Sequence, residues 1–229
     1  MIDLIDPRHG EHPDKPVVYR LKIGKKYLKN VTPNRSDRRG APIKFIVVHY
    51  TGSAGQSIDE AAKYMQKPEA AVSAHFLVQD GRIEQIVPTG DAAWHVGDGR
   101  PNKKYERGED ALRWRFQQNG ECEGNRSCIG VELCVEKTKK TKKVRDTDWF
   151  FTPETIETAQ KLIGYLMQEF NIPGHRVARH MDVTGKPCPR PFVSLKSDGN
   201  DQFDQDWEIF RKNCIAYANS CAMIGEVTK

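Results

Sequence analysis

The apolar residues of this chain fall in short blocks, none approaching the roughly 18 to 20 consecutive positions that span a bilayer. Successive blocks switch between strand and helix periods, which restricts the fold to a layered core of strands and helices. The first block, residues 43–49, is rich in β-branched side chains, reads as a buried strand and stops at Tyr50, Thr51 and Gly52. Ser57 with Glu60 has the spacing of a capping box, and Ile58, Ala61, Ala62 and Met65 form one helical stripe ahead of Pro68. Residues 75–79 and 82–87 alternate in hydrophobicity around Asp80 and Gly81, a dipeptide suited to the positive φ angles of a tight hairpin. Residues 129–135 resume as a strand. Thr152 and Pro153 open a helix with Ile156, Ala159, Ile163, Met167 and Phe170 on one face, closed by Pro173 and Gly174. Residues 177–180 fit a last short strand, and Phe203, Trp207, Phe210 and Cys214 trace a terminal amphipathic helix. Strands interleaved with helices and one hairpin predict an α/β fold, a central mixed β-sheet flanked by helices.

A chain of 229 residues supports one well-buried domain plus appendages, or two small domains at most. Residues 1–40 are rich in Pro, Arg and Lys and keep no sustained period, so they read as a basic, irregular extension. The main domain is expected over 41–217, including the C-terminal helix, with 218–229 as a tail. Residues 98–125 are polar and Gly-rich and read as a long excursion with a helical turn near 110–116; loops of this length are usually functional or mobile. The first residues lack a basic flank followed by an apolar core, so the expectation is a soluble protein, cytoplasmic on synthesis, without a secretion signal. Six cysteines are too few for a disulfide scaffold. Cys122 and Cys128 bracket a short loop and are a candidate pair in an oxidising envelope. Charge is uneven: residues 1–44 hold 11 Lys and Arg against 5 Asp and Glu, and residues 137–145 pack six cations into nine positions. Such patches suit a polyanion.

Three residues have the types that a catalytic zinc needs: His49 at the end of the first strand, His180, and Cys188 eight positions later. Such a set leaves the fourth tetrahedral position open to water. A thiolate and two neutral imidazoles favour zinc over magnesium or calcium, which prefer oxygen. Glu132 alternates with Ile129, Val131, Leu133 and Val135 and so points away from their face, into a cleft if they face a core. Cys134 alternates the same way and reads as a neighbour of Glu132 or a small apolar filler.

The segments FIVVHYTGS (45–53), SAHFLVQDGRIEQIVP (73–88), AWHVGDG (93–99), IGVELCV (129–135) and RHMDVTGKPCP (179–189) occur in that order. Together they resemble the zinc-dependent N-acetylmuramoyl-L-alanine amidase family of phage lysins, bacterial autolysins and animal peptidoglycan recognition proteins, over roughly residues 41–191. The resemblance implies a zinc cleft on a sheet flanked by helices, and hydrolysis of the amide joining the lactyl group of N-acetylmuramic acid to L-alanine of the peptidoglycan stem. By position, His49, His180 and Cys188 match the zinc ligands and Glu132 the catalytic base. Lys186 matches a lysine that stabilises the oxyanion. One branch of the family has a tyrosine before the hairpin His and lacks the glutamate; here Ala74 precedes His75 and Glu132 is present, which implies the glutamate branch. His75, Trp94 and His95 are expected to line the cleft and contact substrate. Cys188 together with Glu132 implies an enzyme rather than a binding module. Peptidoglycan is the implied substrate, reached after release from the cell as by a phage or prophage lysin. The basic patches then suit anionic wall polymers, and no nucleic-acid motif is present.

Overall fold

The structure is a computed structural model and describes residues 17–99, 121–139, 143 and 145–228. In chain order the strands are β1 (Val17–Gly24), β2 (Arg35–Asp37), β3 (Phe45–Tyr50), β4 (Phe76–Gln79), β5 (Arg82–Gln85), β6 (Asp91–Ala93), β7 (Cys128–Leu133), β8 (Glu136–Lys137), β9 (Trp149–Phe150), β10 (Val177–Arg179) and β11 (Cys221–Thr228). The described α-helices are α1 (Ile58–Met65), α2 (Pro153–Glu169), α3 (His180–Thr184) and α4 (Gln202–Ser220). A seven-stranded mixed sheet runs in the order β10, β3, β7, β4, β5, β1, β11. Its pairs are parallel except the hairpin β4–β5.

Local chemistry sets these elements. Ser57 and Glu60 cap α1 reciprocally: the Ser57 amide donates to the Glu60 carboxylate at 2.9 Å and the Glu60 amide to the Ser57 hydroxyl at 3.3 Å. The β4–β5 turn places Asp80 at φ 40° and Gly81 at φ 77°, the left-handed geometry that a two-residue hairpin requires. That tip docks on the start of α2, where the Asp80 and Gly81 amides donate to the hydroxyls of Thr155 and Thr158 at 3.0 and 3.1 Å. Thr152 caps α2 by accepting from the Thr155 amide.

The two faces of the sheet differ. Ile46, Val48, Ile129, Val131 and Leu133 pack with Leu162, Ile163 and Leu166 of α2 and with Trp207 and Phe210 of α4 in the main core. On the opposite face Phe45 and Val47 pack with Cys128, Ala178 and Val183, and Leu77 packs with α1. That second face is left uncovered at the ends of β3 and β7, where the site described below is built.

Three expectations differ from the structure. Residues 17–24, read as irregular, form β1 inside the sheet: Leu21 and Ile23 point in while Arg20 and Lys22 point out. The alternation is there, but the outward positions carry charge and the inward ones number only three with Tyr19. Residues 221–228, read as tail, form β11 and pair in parallel with β1. Residues 177–180, read as one strand, end the strand at Arg179, and His180 opens α3. The helical turn expected near 110–116 lies outside the described residues. No described helix is long and apolar enough to cross a membrane.

Arg38, from the segment read as lacking structure, ties it to the sheet. Its buried guanidinium donates to the carbonyls of Thr89 at 2.8 Å and Cys128 at 3.1 Å, and to that of Arg126. Replacing Arg38 with Met removes its hydrogen bonds to these carbonyls and is expected to lower the unfolding free energy by about 2–4 kcal/mol. Urea unfolding reads this directly, and a midpoint equal to wild type would separate the segment from the fold.

Candidate metal centre

Alternation along β3 puts Phe45, Val47 and His49 on the second face of the sheet, with His49 last before the chain turns at Gly52 (φ 65°). Two neighbouring strands deliver the other groups. On one side β7 pairs in parallel register, His49 beside Glu132, and Glu132 points away from Ile129, Val131 and Leu133 for the same alternation reason. On the other side β10 pairs Arg179 with Val48, so the next residue, His180, stands beside His49 with ring centroids 4.7 Å apart. Cys188 returns after α3 through a turn at Gly185 (φ 83°), its carbonyl accepting from the Met181 amide at 2.9 Å. The following residues are anchored by Arg190, whose guanidinium is wholly buried against Asp198 at 2.7 Å and the Val193 carbonyl.

His49, His180 and Cys188 are all buried, and one ligand atom from each lies within 4.8 Å of the others. His49 Nδ1 faces Cys188 Sγ at 3.7 Å, and His180 Nδ1 is buried with no hydrogen-bond partner among the described residues. Tetrahedral zinc with nitrogen and sulfur ligands needs edges of roughly 3.3–3.6 Å. An orphaned imidazole nitrogen, a second imidazole and a thiol converging within 4.8 Å are the donor set of such an ion. The Tyr50 amide hydrogen-bonds to the Cys188 sulfur, which favours its thiolate form.

Burial governs the electrostatics here. It pushes His49 and His180 well below the ordinary histidine value, with Lys186 adding to both, so these rings are neutral as ligation requires. Burial, with Arg38 adding, takes His95 down to about 3. Burial pushes the Cys188 thiol up to about 12, opposed by Lys186; a thiolate there needs a closer cation than that ammonium. Burial also raises the Glu132 carboxyl to about 8, again opposed by Lys186. Lys186 itself is exposed at the mouth of the site.

These groups open into a cleft of about 300 Å³ lined also by Tyr50, Gln56, Tyr64, Val72, Trp94 and His95. Trp94, half-buried, lines the cleft and donates from its indole Nε1 to the Ser36 hydroxyl at 3.3 Å. His75 does not line this cleft. It is fully buried, its Nδ1 accepts from the Gly130 amide at 3.0 Å, and its Nε2 lies 3.0 Å from the Asp91 carbonyl and 2.8 Å from the Arg38 guanidinium; both ring nitrogens are spent on groups of the protein. His95 reaches the cleft but is hydrogen-bonded through Nδ1 to His49 Nε2 at 3.0 Å. Sequence reasoning missed Tyr64, which is 50% exposed. Its signal was an aromatic residue off the buried stripe of α1. Cys134 packs with Leu77 and Ala93 as a core filler. Cys122 and Cys128 are free thiols with sulfurs 3.7 Å apart. Lys137, counted in a basic patch, is paired with Asp146 at 3.0 Å and with Asp148.

Residues 39–191 match the family described as N-acetylmuramoyl-L-alanine amidase. The chain is 34% identical over 175 residues to the N-acetylmuramoyl-L-alanine amidase CwlH of Bacillus subtilis (strain 168), an overlap of 76% of this chain and 57% of that protein. It is 29% identical over 182 residues to CwlL of Bacillus licheniformis, named likewise, covering 77% of this chain and 44% of the relative. The solved catalytic domain of XlyA superposes with a TM-score of 0.54 at 25% identity, over 86% of this chain and 99% of that one. The chain belongs to the N-acetylmuramoyl-L-alanine amidase family. It spans about half the length of the two relatives named.

The raised Glu132 value makes a pH prediction. The folded carboxyl at about 8 lies above the ordinary 4.5, so between these values the unfolded chain has released a proton that the folded chain keeps. Stability of the metal-free protein therefore falls as pH rises through that window. Glu132→Gln is expected to flatten this dependence, so that its urea midpoint gains on wild type as pH rises. Curves that stay parallel would mean that Glu132 ionises as an ordinary carboxyl.

Proposed function

We propose that this chain is a zinc-dependent N-acetylmuramoyl-L-alanine amidase that degrades bacterial cell wall. The bond cut is the amide between the lactyl group of N-acetylmuramic acid and L-alanine of the stem peptide. The observation that carries the reading is the convergence of His49, His180 and Cys188, with Glu132 beside them, at the floor of an open cleft.

His49, His180 and Cys188 would hold the ion. When bound, zinc supplies a Lewis acid that polarises a carbonyl and acidifies water. Glu132, on the strand next to His49, accepts the proton of the attacking water and aims its oxygen at the carbonyl. The desolvation that raises its proton affinity suits it to both halves of the reaction, because the same carboxyl then delivers that proton to the departing L-alanine nitrogen. Lys186, whose charge acts on Glu132, His49, His180 and Cys188 alike, stabilises the oxyanion developing on the scissile carbonyl. Trp94 and Tyr64 offer aromatic faces for the glycan-linked peptide.

The cationic excess of residues 1–44 favours approach to anionic wall polymers. We assign the protein a place of action at the bacterial wall, reached after release from the cell in the manner of a lysin. The family match ends at residue 191, but β1, α4 and β11 complete the sheet and its core, so the catalytic unit is taken to include them.

Digestion of purified peptidoglycan followed by mass spectrometry tests the activity. Free muramoyl lactyl groups and peptides with new N-terminal L-alanine are expected, lost with a chelator and restored by zinc. Intact material from several wall types, with zinc bound, would make the protein a binding module instead. Glu132→Gln is expected to keep zinc and lose about 10²–10⁴-fold in kcat, and Lys186→Met to lose about 10²–10³-fold; wild-type turnover in either variant removes that residue's role.

A further inference from the structure

We infer that His95 is a positioning residue for the metal centre, holding the His49 ring so that Nδ1 is presented to the ion. The inference rests on the metal-centre reading above. A ligating imidazole is neutral and bare at its ligating nitrogen, so its other nitrogen carries the proton and needs an acceptor. In His49 the nitrogen facing Cys188 is Nδ1, which leaves Nε2 as the donor, and Nε2 lies 3.0 Å from His95 Nδ1. The rings meet edge to face with centroids 5.0 Å apart. A neutral histidine thus occupies the place that a carboxylate or carbonyl more often takes behind a metal-bound imidazole.

The surroundings hold His95 in turn. Its own amide and that of Val96 both donate to the Asn125 side-chain oxygen, at 2.9 and 2.8 Å. Asn125 is itself fixed by its amide, which donates to the Gly97 carbonyl at 2.9 Å. Beneath the ring lies Gly130 of β7, where a Cβ atom would come 2.8 Å from the ring Cγ and 2.9 Å from Nδ1. Any side chain at this position drives the His95 ring off its place, so the bare backbone of Gly130 and the Asn125 amide together set the His95–His49 contact. His95 Nδ1 is already committed to His49, which assigns this nitrogen to the protein rather than to substrate.

The test is the zinc dissociation constant, measured by competition with a chromophoric chelator, for wild type, His95→Leu, His95→Asn and Gly130→Ala. The Asn side-chain oxygen falls where His Nδ1 lies and can accept from His49. His95→Leu is expected to weaken zinc roughly 10–100-fold, with Gly130→Ala also weakened and His95→Asn within about threefold of wild type, while the metal-free thermal midpoints of the two His95 variants stay close together. Wild-type affinity in both His95→Leu and Gly130→Ala overturns the assignment, as does equal weakening in His95→Leu and His95→Asn. Long-range ¹H–¹⁵N spectra of the zinc-loaded wild type give a reading that needs no variant: His49 protonated at Nε2 is expected, and a metal-bound Nε2 overturns the inference. A wild-type chain that takes up no zinc would remove the metal-centre reading first, and this assignment with it.

Discussion

The parallel pairing of β3 with β7 on one side and with β10 on the other is what the site depends on. Register in a sheet has a period of two, so a slip of one residue would turn Glu132 of β7 to the opposite face from His49 or, at β10, carry His180 away from His49. The apolar residues prevent this slip. Ile46, Val48, Ile129, Val131 and Leu133 are all committed to the core under α2 and α4, and moving any of those strands by one would expose the whole set. The register that buries the core is therefore the register that lines up His49 beside Glu132 and brings His180 to them from the end of β10.

The same burial creates an electrostatic demand. Three histidines, a thiol and a carboxyl share a volume from which water is largely excluded, and each is driven toward its neutral form. Lys186, at the mouth, is a cation that acts on His49, His180, Cys188 and Glu132, and Arg38 acts on His95. Neutral imidazoles are ready to ligate, whereas the thiol needs positive charge at bonding distance to ionise. A divalent ion held by His49, His180 and Cys188 would meet that demand and would ease the ionisation of Glu132. The chemistry and the stability of this face are thus two consequences of one desolvated cluster.

Much of this was legible in the chain. The capping box of α1, the hairpin turn at Asp80 and Gly81 and the apolar stripe of α2 are local signals, complete within a few residues. The resemblance singled out His49, His180 and Cys188, which the structure brings together, and the alternation around Glu132 supplied its direction. What escaped depends on long-range pairing. β1 needed β5 and β11 to show its inward residues as buried, and its outward arginine and lysine hid the alternation. Arg38 looked like one cation among many, yet its guanidinium finds carbonyls about 50 to 90 residues away in the chain. His75 and His95 were indistinguishable in sequence, both histidines beside small or aromatic residues in matching segments. Only the packing shows that one is spent on Gly130, Asp91 and Arg38 and the other on His49.

Zinc K-edge X-ray absorption of the reconstituted protein tests the central claim most directly, because it counts donors by element. The account predicts one sulfur at about 2.3 Å and two imidazole nitrogens at about 2.0–2.1 Å, with a light oxygen or nitrogen donor completing the shell, and loss of the sulfur contribution in Cys188→Ser. A shell of oxygen and nitrogen alone in the wild-type protein would place the ion elsewhere and contradict the assignment of this cleft as the metal centre.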